Sequence, residues 1–421
     1  MSTRKTTKHP TAVSAFTGAG GLDLGLVRAG FQIIGRIEND ATARQTITRN
    51  CPKTRLLEPA DITDLVKAFK LTDLARWRRR LDLLAGGPPC QPFSKAAQWT
   101  KNGMLGMKDP RSEALRGFMT LAEHLLPRVV LIENVPGFIR GRRSAVAFVQ
   151  DRFDAINRIH KTKYKLHHRL LDAVDYGVPQ RRQRAILIAR RDGKGFSWPT
   201  PTHSLTPVTA HDALRNIRAT TVPAPGGKWA NLLPSIPEGQ NYLWHTSKGG
   251  GKNLFGYRTR YWSFLLKLSK REPAWTLSAF PGPATGPFHW NNRPLTIKEM
   301  LRLQSFPASW RIAGDFRSQV RQVGNATPPL LAEIVGRAMG EQVFGICHHG
   351  PCTLRISRTR MLPPPEVVCE IPESYALLEG EHPAHPGTGL GPSPRRKRKL
   401  LIRKKLRGAL RTLRPHRRAA A

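Results

Sequence analysis

Short apolar segments alternate with helical ones over the first 190 residues, and this alternation limits the possible folds more than any other feature of the chain. Strands that are separated by helices are typical of a mostly parallel sheet with helices on both faces. The sequence therefore predicts an α/β fold with a doubly wound sheet. The apolar runs that we interpret as strands lie at residues 11–16, 31–37, 81–85, 128–132 and 184–189.

A glycine-rich turn, TGAGG at residues 17–21, links the first predicted strand to a predicted helix over residues 22–29. Glycines let the backbone approach a ligand closely at the carboxyl edge of such a sheet. Glu38 ends the second predicted strand, where a carboxylate can accept hydrogen bonds from both hydroxyls of a ribose. The turn matches neither G-x-G-x-x-G nor a P-loop, which argues against a nicotinamide or ATP site. Taken alone, it is equally consistent with an ordinary tight turn.

A single cysteine, Cys90, follows another apolar strand in the run LLAGGPPCQPFS at residues 83–94. A thiol at such a strand-to-loop corner can be a nucleophile, because these loops line the active clefts of α/β sheets. A buried structural cysteine explains this one residue equally well. Glu133 ends the next apolar strand, so a carboxylate is expected at the same edge of the sheet as Cys90.

Six short blocks occur along the chain in a fixed order. The blocks are FTGAGG at 16–21, PCQ at 89–91, ENV at 133–135, QRRQR at 180–184, RPLTIKE at 293–299 and GNATPP at 324–329. Together they resemble the DNA (cytosine-5)-methyltransferase family and follow the order of that family's motifs. The resemblance covers about residues 12–340 and implies a Rossmann-like, S-adenosylmethionine-dependent methyltransferase domain with a smaller, irregular target-recognition domain.

The predicted domain organisation follows from these blocks and from changes in composition. A catalytic, cofactor-binding domain occupies residues 11–190 and is completed by residues 293–345. Residues 191–292, which are rich in Pro, Gly, Trp and Asn, form the target-recognition domain. A Pro-rich linker at 346–394 then leads to a basic tail at 395–421.

The resemblance also implies a role for each residue of the site. The predicted S-adenosylmethionine site consists of Phe16, Gly18, Gly20, Gly21, Glu38, Asp61, Ile62 and Asn325, with Glu38 on the ribose and Asp61 and Ile62 at the adenine. The predicted catalytic residues are Cys90, Glu133, Arg182 and Arg184. The predicted DNA contacts are Gln91, Ser94 and Gln180.

These residue types suit methylation at carbon 5 of cytosine. That carbon is a poor nucleophile until a thiolate adds at C6, and Cys90 supplies the most nucleophilic side chain available near neutral pH. Glu133 can relieve the negative charge on the ring by protonating or hydrogen-bonding N3. The sequence does not identify the base that removes the C5 proton, which can be water. Because a stacked base hides C6, the target must be flipped out of the duplex.

The charge of the chain indicates a polyanionic partner. Lys and Arg outnumber Asp and Glu 69 to 29, for a formal net charge of +40. We expect double-stranded DNA, an enzyme that acts as a monomer on DNA, and a cognate restriction endonuclease as a further partner. About thirteen basic residues and no acidic one lie at 395–418. They predict either a basic amphipathic helix that binds DNA, an anionic surface or an acidic partner, or a disordered tail that adds only nonspecific affinity.

The remaining features argue against other classes of protein. No apolar run approaches the length of a membrane span, and the N-terminus lacks a secretory apolar region, so we expect a cytoplasmic, nucleoid-associated protein. Five scattered cysteines indicate a reducing compartment. We predict no metal site, because the cluster Cys347, His348, His349 and Cys352 matches no standard zinc spacing.

Two alternative functions remain open at this stage. One is a transfer-RNA cytosine C5 methyltransferase on the same scaffold, against which the gap of about 100 residues between Arg184 and Arg293 argues. The other is a catalytically silent DNA-binding protein that retains a relic fold. The presence of Cys90, Glu133, Arg182 and Glu38 argues against that second alternative.

Overall fold

A mixed six-stranded sheet forms the centre of the described part of the chain. The computed structural model describes residues 9–93, 105–218, 221–255, 262–354, 356 and 361–378. The strands are β1 (Thr11–Ala15), β2 (Gln32–Ile37), β3 (Leu83–Gly86), β4 (Val129–Asn134), β5 (Lys165–Asp172) and β6 (Gln183–Arg190). Their order across the sheet is β2-β1-β3-β4-β6-β5.

The first four strands in this sheet are parallel, and β6 runs antiparallel to both β4 and β5. The sequence predicted five of these strands to within a few residues. It missed β5, whose sequence KLHHRLLD is largely polar and half exposed because the strand lies at the edge of the sheet. An edge strand buries little, so its apolar signal is weak.

Helices cover both faces of the sheet, which confirms the predicted doubly wound α/β fold. Along β3, Leu84 packs on one face with Phe118 and Val130, whereas Leu83 packs on the other with Leu26 and Leu331. The helices are α1 (Gly21–Arg28), α2 (Ala41–Asn50), α3 (Ile62–Lys67), α4 (Glu113–Leu125), α5 (Val146–His160), α6 (Ala210–Leu214), α7 (Ile297–Leu303), α8 (Phe316–Asn325) and α9 (Pro329–Met339).

The last helix of the sheet layer packs directly against the first. A Cβ at Gly25 of α1 would lie 2.5 Å from the carbonyl oxygen of Pro329 and 2.6 Å from the amide nitrogen of Glu333 in α9. A Cβ at Gly336 of α9 would likewise lie too close to the Cβ of Ala29. Residues more than 300 positions apart thus form one face of the domain, with the two backbones in near contact.

Residues 191–292 contain little regular structure in their described part, apart from α6 and short 3₁₀ turns. Some of their apolar residues form a separate cluster around Leu232, Tyr242 and Phe255, whereas Leu268 and Trp290 pack with residues of α7 and α8. Part of the predicted Pro-rich linker packs on this cluster, since Tyr375 stacks on Trp229 with ring centroids 5.8 Å apart. The proline-rich composition gave no indication of this contact.

Charged side chains also hold this segment in place. The ammonium group of Lys270 donates to Glu366 at 2.8 Å and pairs with Glu238 at 2.9 Å.

The predicted basic tail at 395–421 lies outside the described residues. Among the helices of the described ranges, none has the length and apolarity needed to cross a membrane.

The contact between α1 and α9 predicts that Gly25→Ala is destabilising. Alanine gains up to about 1 kcal/mol over glycine within a helix, but overpacking against immobile backbone costs about 1–3 kcal/mol. Urea denaturation should therefore show a net loss of stability. Gly195→Ala is the matched control, because a Cβ there meets no atom within 4 Å. Equal stability of the two variants would contradict the packing described here.

Candidate active site

The predicted site residues converge on one edge of the sheet. The carboxyl ends of β1 to β4 meet there because these strands are parallel, which brings the glycine-rich turn, Glu38, the Cys90 loop and Glu133 to the same edge. Strand β6 runs in the opposite direction and begins at this edge. Ala185 therefore pairs with Asn134, and Arg184 lies beside Glu133.

The glycine-rich turn has the left-handed backbone that its composition predicts. Gly18 has φ 55° and Gly20 has φ 81°. A Cβ at Gly20 would lie 2.8 Å from the Ile47 side chain and 3.0 Å from the Trp310 ring. A Cβ at Gly21 would overlap the carbonyl oxygen of Thr327. Glycine is therefore required for the late part of the chain to close over this turn.

Glu38 is buried and held by backbone amides. Its two carboxylate oxygens accept hydrogen bonds at 2.8 Å from the N–H of Gly18 and of Asp40. Burial raises the pKa of Glu38, and these two backbone hydrogen bonds lower it in part. Each oxygen keeps lone pairs that can accept from a ligand hydroxyl. The hydroxyl of Thr17, in the same turn, is buried and has no hydrogen-bond partner.

The other predicted cofactor residues surround this turn to different degrees. Asp61 caps α3 by accepting from the amide of Thr63 at 2.7 Å, and Asn39 contacts its second oxygen at 3.4 Å. Ile62 is buried in the core between α3 and α4. Asn325 is exposed at the end of α8. These features fit a nucleoside cofactor. Glu38 keeps lone pairs for ligand hydroxyls, the buried Thr17 hydroxyl has no partner, and the space beside Gly18 is open.

The Cys90 loop is fixed by its neighbours. The side-chain amide of Asn134 donates to the carbonyl oxygen of Pro88 at 3.0 Å. The backbone N–H of Phe93 donates to the carbonyl oxygen of Cys90, also at 3.0 Å. A Cβ at Gly87 would lie 3.2 Å from the carboxylate of Glu133. Asn134 was not assigned a role from the sequence, although it lies within the ENV block. It holds the loop that carries the thiol.

Opposite charges flank the thiol of Cys90. The Nε of Arg184 and a carboxylate oxygen of Glu133 are 2.7 Å apart, with both side chains about nine-tenths buried, although their angle is not that of a hydrogen bond. Burial raises the pKa of the Cys90 thiol, the Arg184 guanidinium acts to lower it, and the Glu133 carboxylate adds to the increase. The thiol is therefore the resting form at neutral pH.

Arg182 is fully buried and contacts a distant part of the chain. It donates to the carbonyl oxygens of Gly324 at 2.6 Å and of Ala326 at 2.9 Å. Burial lowers the pKa of this guanidinium, and its Nε has no partner. Its contacts join the residue before β6 to the end of α8, whereas Arg184 faces Glu133.

The predicted DNA-contacting residues include two buried amides with unused hydrogen-bonding groups. Gln180 is fully buried and its Nε2 has no partner, while its Oε1 lies 3.5 Å from Arg182. The Oε1 of Gln91 is also buried without a partner. Ser94 lies outside the described residues. Among the described residues, no group of three or more His, Cys, Asp or Glu is arranged to hold a metal ion.

A doubly wound sheet with one reversed strand, a nucleoside-type turn and a cysteine beside a carboxylate define an α/β methyltransferase. The chain belongs to the C-5 cytosine-specific DNA methylase family, whose model matches residues 11–341. Members of this family are S-adenosylmethionine-dependent. The family, the fold class and the activity of a DNA (cytosine-5)-methyltransferase, as predicted from the sequence, are confirmed.

Individual relatives cover most of the chain. It is 35% identical over 371 residues to the type II methyltransferase M.SacI of Streptomyces achromogenes, covering 79% of this chain and 93% of the relative. It is 31% identical over 355 residues to M.Eco47II of Escherichia coli, covering 78% of each. A solved structure of a DNMT2 variant from Spodoptera frugiperda is similar in fold, with a TM-score of 0.55 at 17% identity, covering 78% of this chain and 99% of that one.

The charges around Cys90 predict opposite effects of two substitutions on its alkylation. Glu133→Gln removes a charge that raises the pKa of the thiol, so alkylation by iodoacetamide at pH 7.5 should become faster. Arg184→Ala removes a charge that lowers this pKa, so alkylation should become slower. Peptide mass spectrometry isolates Cys90 from the other four cysteines, with the exposed Cys369 as an internal control. Rates in the reverse order would contradict this electrostatic arrangement.

Proposed function

We propose that this protein methylates cytosine at C5 within a specific sequence of double-stranded DNA, through a covalent bond between Cys90 and C6 of a flipped base. The observation that carries the proposal is the thiol of Cys90, held on the β3 loop where Glu133 and Arg184 meet, 2.7 Å apart. Family membership supports DNA cytosine as the substrate.

The cofactor site that we propose is the edge formed by the glycine-rich turn. S-adenosylmethionine, when bound, supplies the methyl group from its sulfonium. Gly18 leaves room for it, since a Cβ there would meet only the carbonyl oxygen of Phe16 at 3.9 Å, while Gly20 and Gly21 let Trp310 and Thr327 pack behind the turn. Glu38 accepts from the ribose hydroxyls, and Asp61 faces the adenine. Phe16, Ile62 and Asn325 complete this proposed set. The buried, unpartnered hydroxyl of Thr17 supports a ligand at this turn.

The side chains of the chain itself divide the work on the cytosine ring. The Cys90 thiol loses its proton to solvent and the thiolate bonds to C6, so that electron density moves to C5 and N3. The Glu133 carboxyl group, which takes up a proton from solvent when the base binds, donates that proton or a hydrogen bond to N3. Arg184 stabilises the thiolate and orients the carboxyl group of Glu133. After C5 is methylated, water removes the C5 proton, the C5–C6 double bond re-forms, the Cys90 thiolate leaves and the proton on N3 returns to Glu133.

Access to C6 requires an extrahelical base, so the enzyme must bind the duplex while the base is flipped out. We propose that residues 191–292 bind the duplex. A flipped cytosine leaves a gap and needs a closed pocket with polar contacts to its edge. The buried amides of Gln91 and Gln180 have unused hydrogen-bonding groups that support such contacts. Ser94 belongs to the same proposed set. The domain bounds of the sequence analysis, 11–190 with 293–345 around 191–292, are part of this proposal.

The partners that we propose are double-stranded DNA and a cognate restriction endonuclease. Two relatives are type II methyltransferases by name, which supports a restriction–modification context. The enzyme acts as a monomer on DNA. The basic segment 395–418 adds phosphate contacts that strengthen binding to every sequence without selecting a target.

The substrate is tested by supplying tritiated S-adenosylmethionine with either duplex DNA or transfer RNA. We expect label in DNA, at cytosine C5 within one short sequence that bisulfite sequencing then identifies. The matched control is DNA already methylated in cells that express the enzyme, which should accept no further label. Labelling of transfer RNA with none in DNA would establish the alternative substrate.

The covalent step is tested at Cys90. Cys90→Ala should lower methyl transfer by roughly 10³-fold or more, because it removes the nucleophile that the proposed mechanism requires, while S-adenosylmethionine binding persists. A duplex with 5-fluorocytosine at the target should form a stable adduct with the unaltered enzyme, since fluorine blocks the final elimination. Cys369→Ala serves as the control. An active Cys90→Ala variant, or an adduct at another residue, would exclude the mechanism.

A further inference from the structure

Two large aromatic side chains are exposed at the boundary between the recognition segment and the catalytic edge. Trp262 is 51% exposed and Trp275 is 39% exposed, although their ring centroids are only 5.9 Å apart at an angle of 68°. Isolated exposed apolar residues are common, but an adjacent tryptophan pair leaves unusually much apolar surface in water. We call Trp262 and Trp275 the tryptophan pair.

The backbone around Trp275 is joined to the segment that carries the catalytic arginines. Ala274 forms a parallel bridge with Gln180, and its carbonyl oxygen accepts from the amide of Arg181 at 2.8 Å. The hydroxyl of Thr276 donates to the carbonyl oxygen of Arg181 at 2.7 Å. The tryptophan pair therefore lies beside the strand start that leads, within three residues, to Arg184.

Contacts within the chain restrain Trp275 and the backbone of Trp262. The guanidinium carbon of Arg181 lies 5.7 Å from the centre of the Trp275 ring, and the same guanidinium forms an ion pair with Glu272. The side chain of Asn241 donates to the carbonyl oxygen of Trp262 at 2.8 Å. Rigid aromatic surfaces lose little conformational entropy on binding, which favours their use as contact points.

We propose that the tryptophan pair stacks on a nucleobase of the DNA beside the target cytosine, with Arg181 at the adjoining phosphate. This inference rests on the proposed function. A nucleobase offers a flat π surface that tryptophan stacks on, and the nearby Arg181 cation complements a phosphate. The formal net charge of +40 favours a polyanion over an apolar protein as the occupant. The pair acts as a positioning surface and takes no part in bond making.

The test compares Trp262→Ala, Trp275→Ala and the conservative Trp262→Phe with the unaltered full chain. Loss of one stacking contact weakens binding about 5- to 150-fold. We expect the Kd and KM for a target duplex to rise within this range in the alanine variants and to be largely restored by phenylalanine. The KM for S-adenosylmethionine should stay constant, as should the melting temperature. Phe316→Ala, at a residue 50% exposed on α8, is the matched control.

A second readout reports stacking directly. 2-Aminopurine placed next to the target cytosine should be quenched by the unaltered enzyme and by Trp262→Phe, and less by Trp262→Ala. Alanine variants that bind DNA as tightly as the unaltered enzyme would overturn the inference and leave the surface to an apolar protein partner. Failure of the unaltered enzyme to methylate DNA would instead reject the proposed function, so the two failures are distinguishable.

Discussion

The buried guanidinium of Arg182 is the interaction on which the active edge depends. It is fully buried, and carbonyl oxygens of Gly324 and Ala326 compensate its charge. An unpaired charge at such a site costs several kcal/mol, so these contacts strongly oppose separation of the two segments. Arg182 is followed two residues later by Arg184, which the pairing of β6 with β4 sets beside Glu133.

Close backbone contact also holds the late part of the chain against the glycine-rich turn. Gly20 and Gly21 allow Trp310 and Thr327 to lie against the cofactor turn, and the indole N–H of Trp310 donates to the carbonyl oxygen of Ala19 at 3.0 Å. The glycines therefore serve two purposes. They give the turn its left-handed backbone, and they admit the part of the chain that closes over it.

The sequence predicted which residues lie at one edge of the sheet, because a parallel sheet gathers the carboxyl ends of its strands. Cys90 and Glu133 follow neighbouring strands, so their proximity required only the strand assignment. It did not predict β5, which is polar and lies at the edge of the sheet. It also did not predict the contacts of Arg182, because a sequence motif identifies a residue but not the carbonyl oxygens to which it donates. The packing of Tyr375 on Trp229 could not be predicted from the sequence either, because one tyrosine among prolines forms no periodic pattern.

The contacts of Arg182 have a consequence for how the protein is made. Cys90, Glu133 and Arg184 are translated well before the carbonyls that receive Arg182, which follow only at Gly324 and Ala326. A nascent chain on the ribosome therefore carries these three side chains before it can arrange them. A premature stop codon between Arg184 and Gly324 leaves the charge of Arg182 without its acceptors, so the edge is completed only when the ribosome has added 144 residues after Arg182.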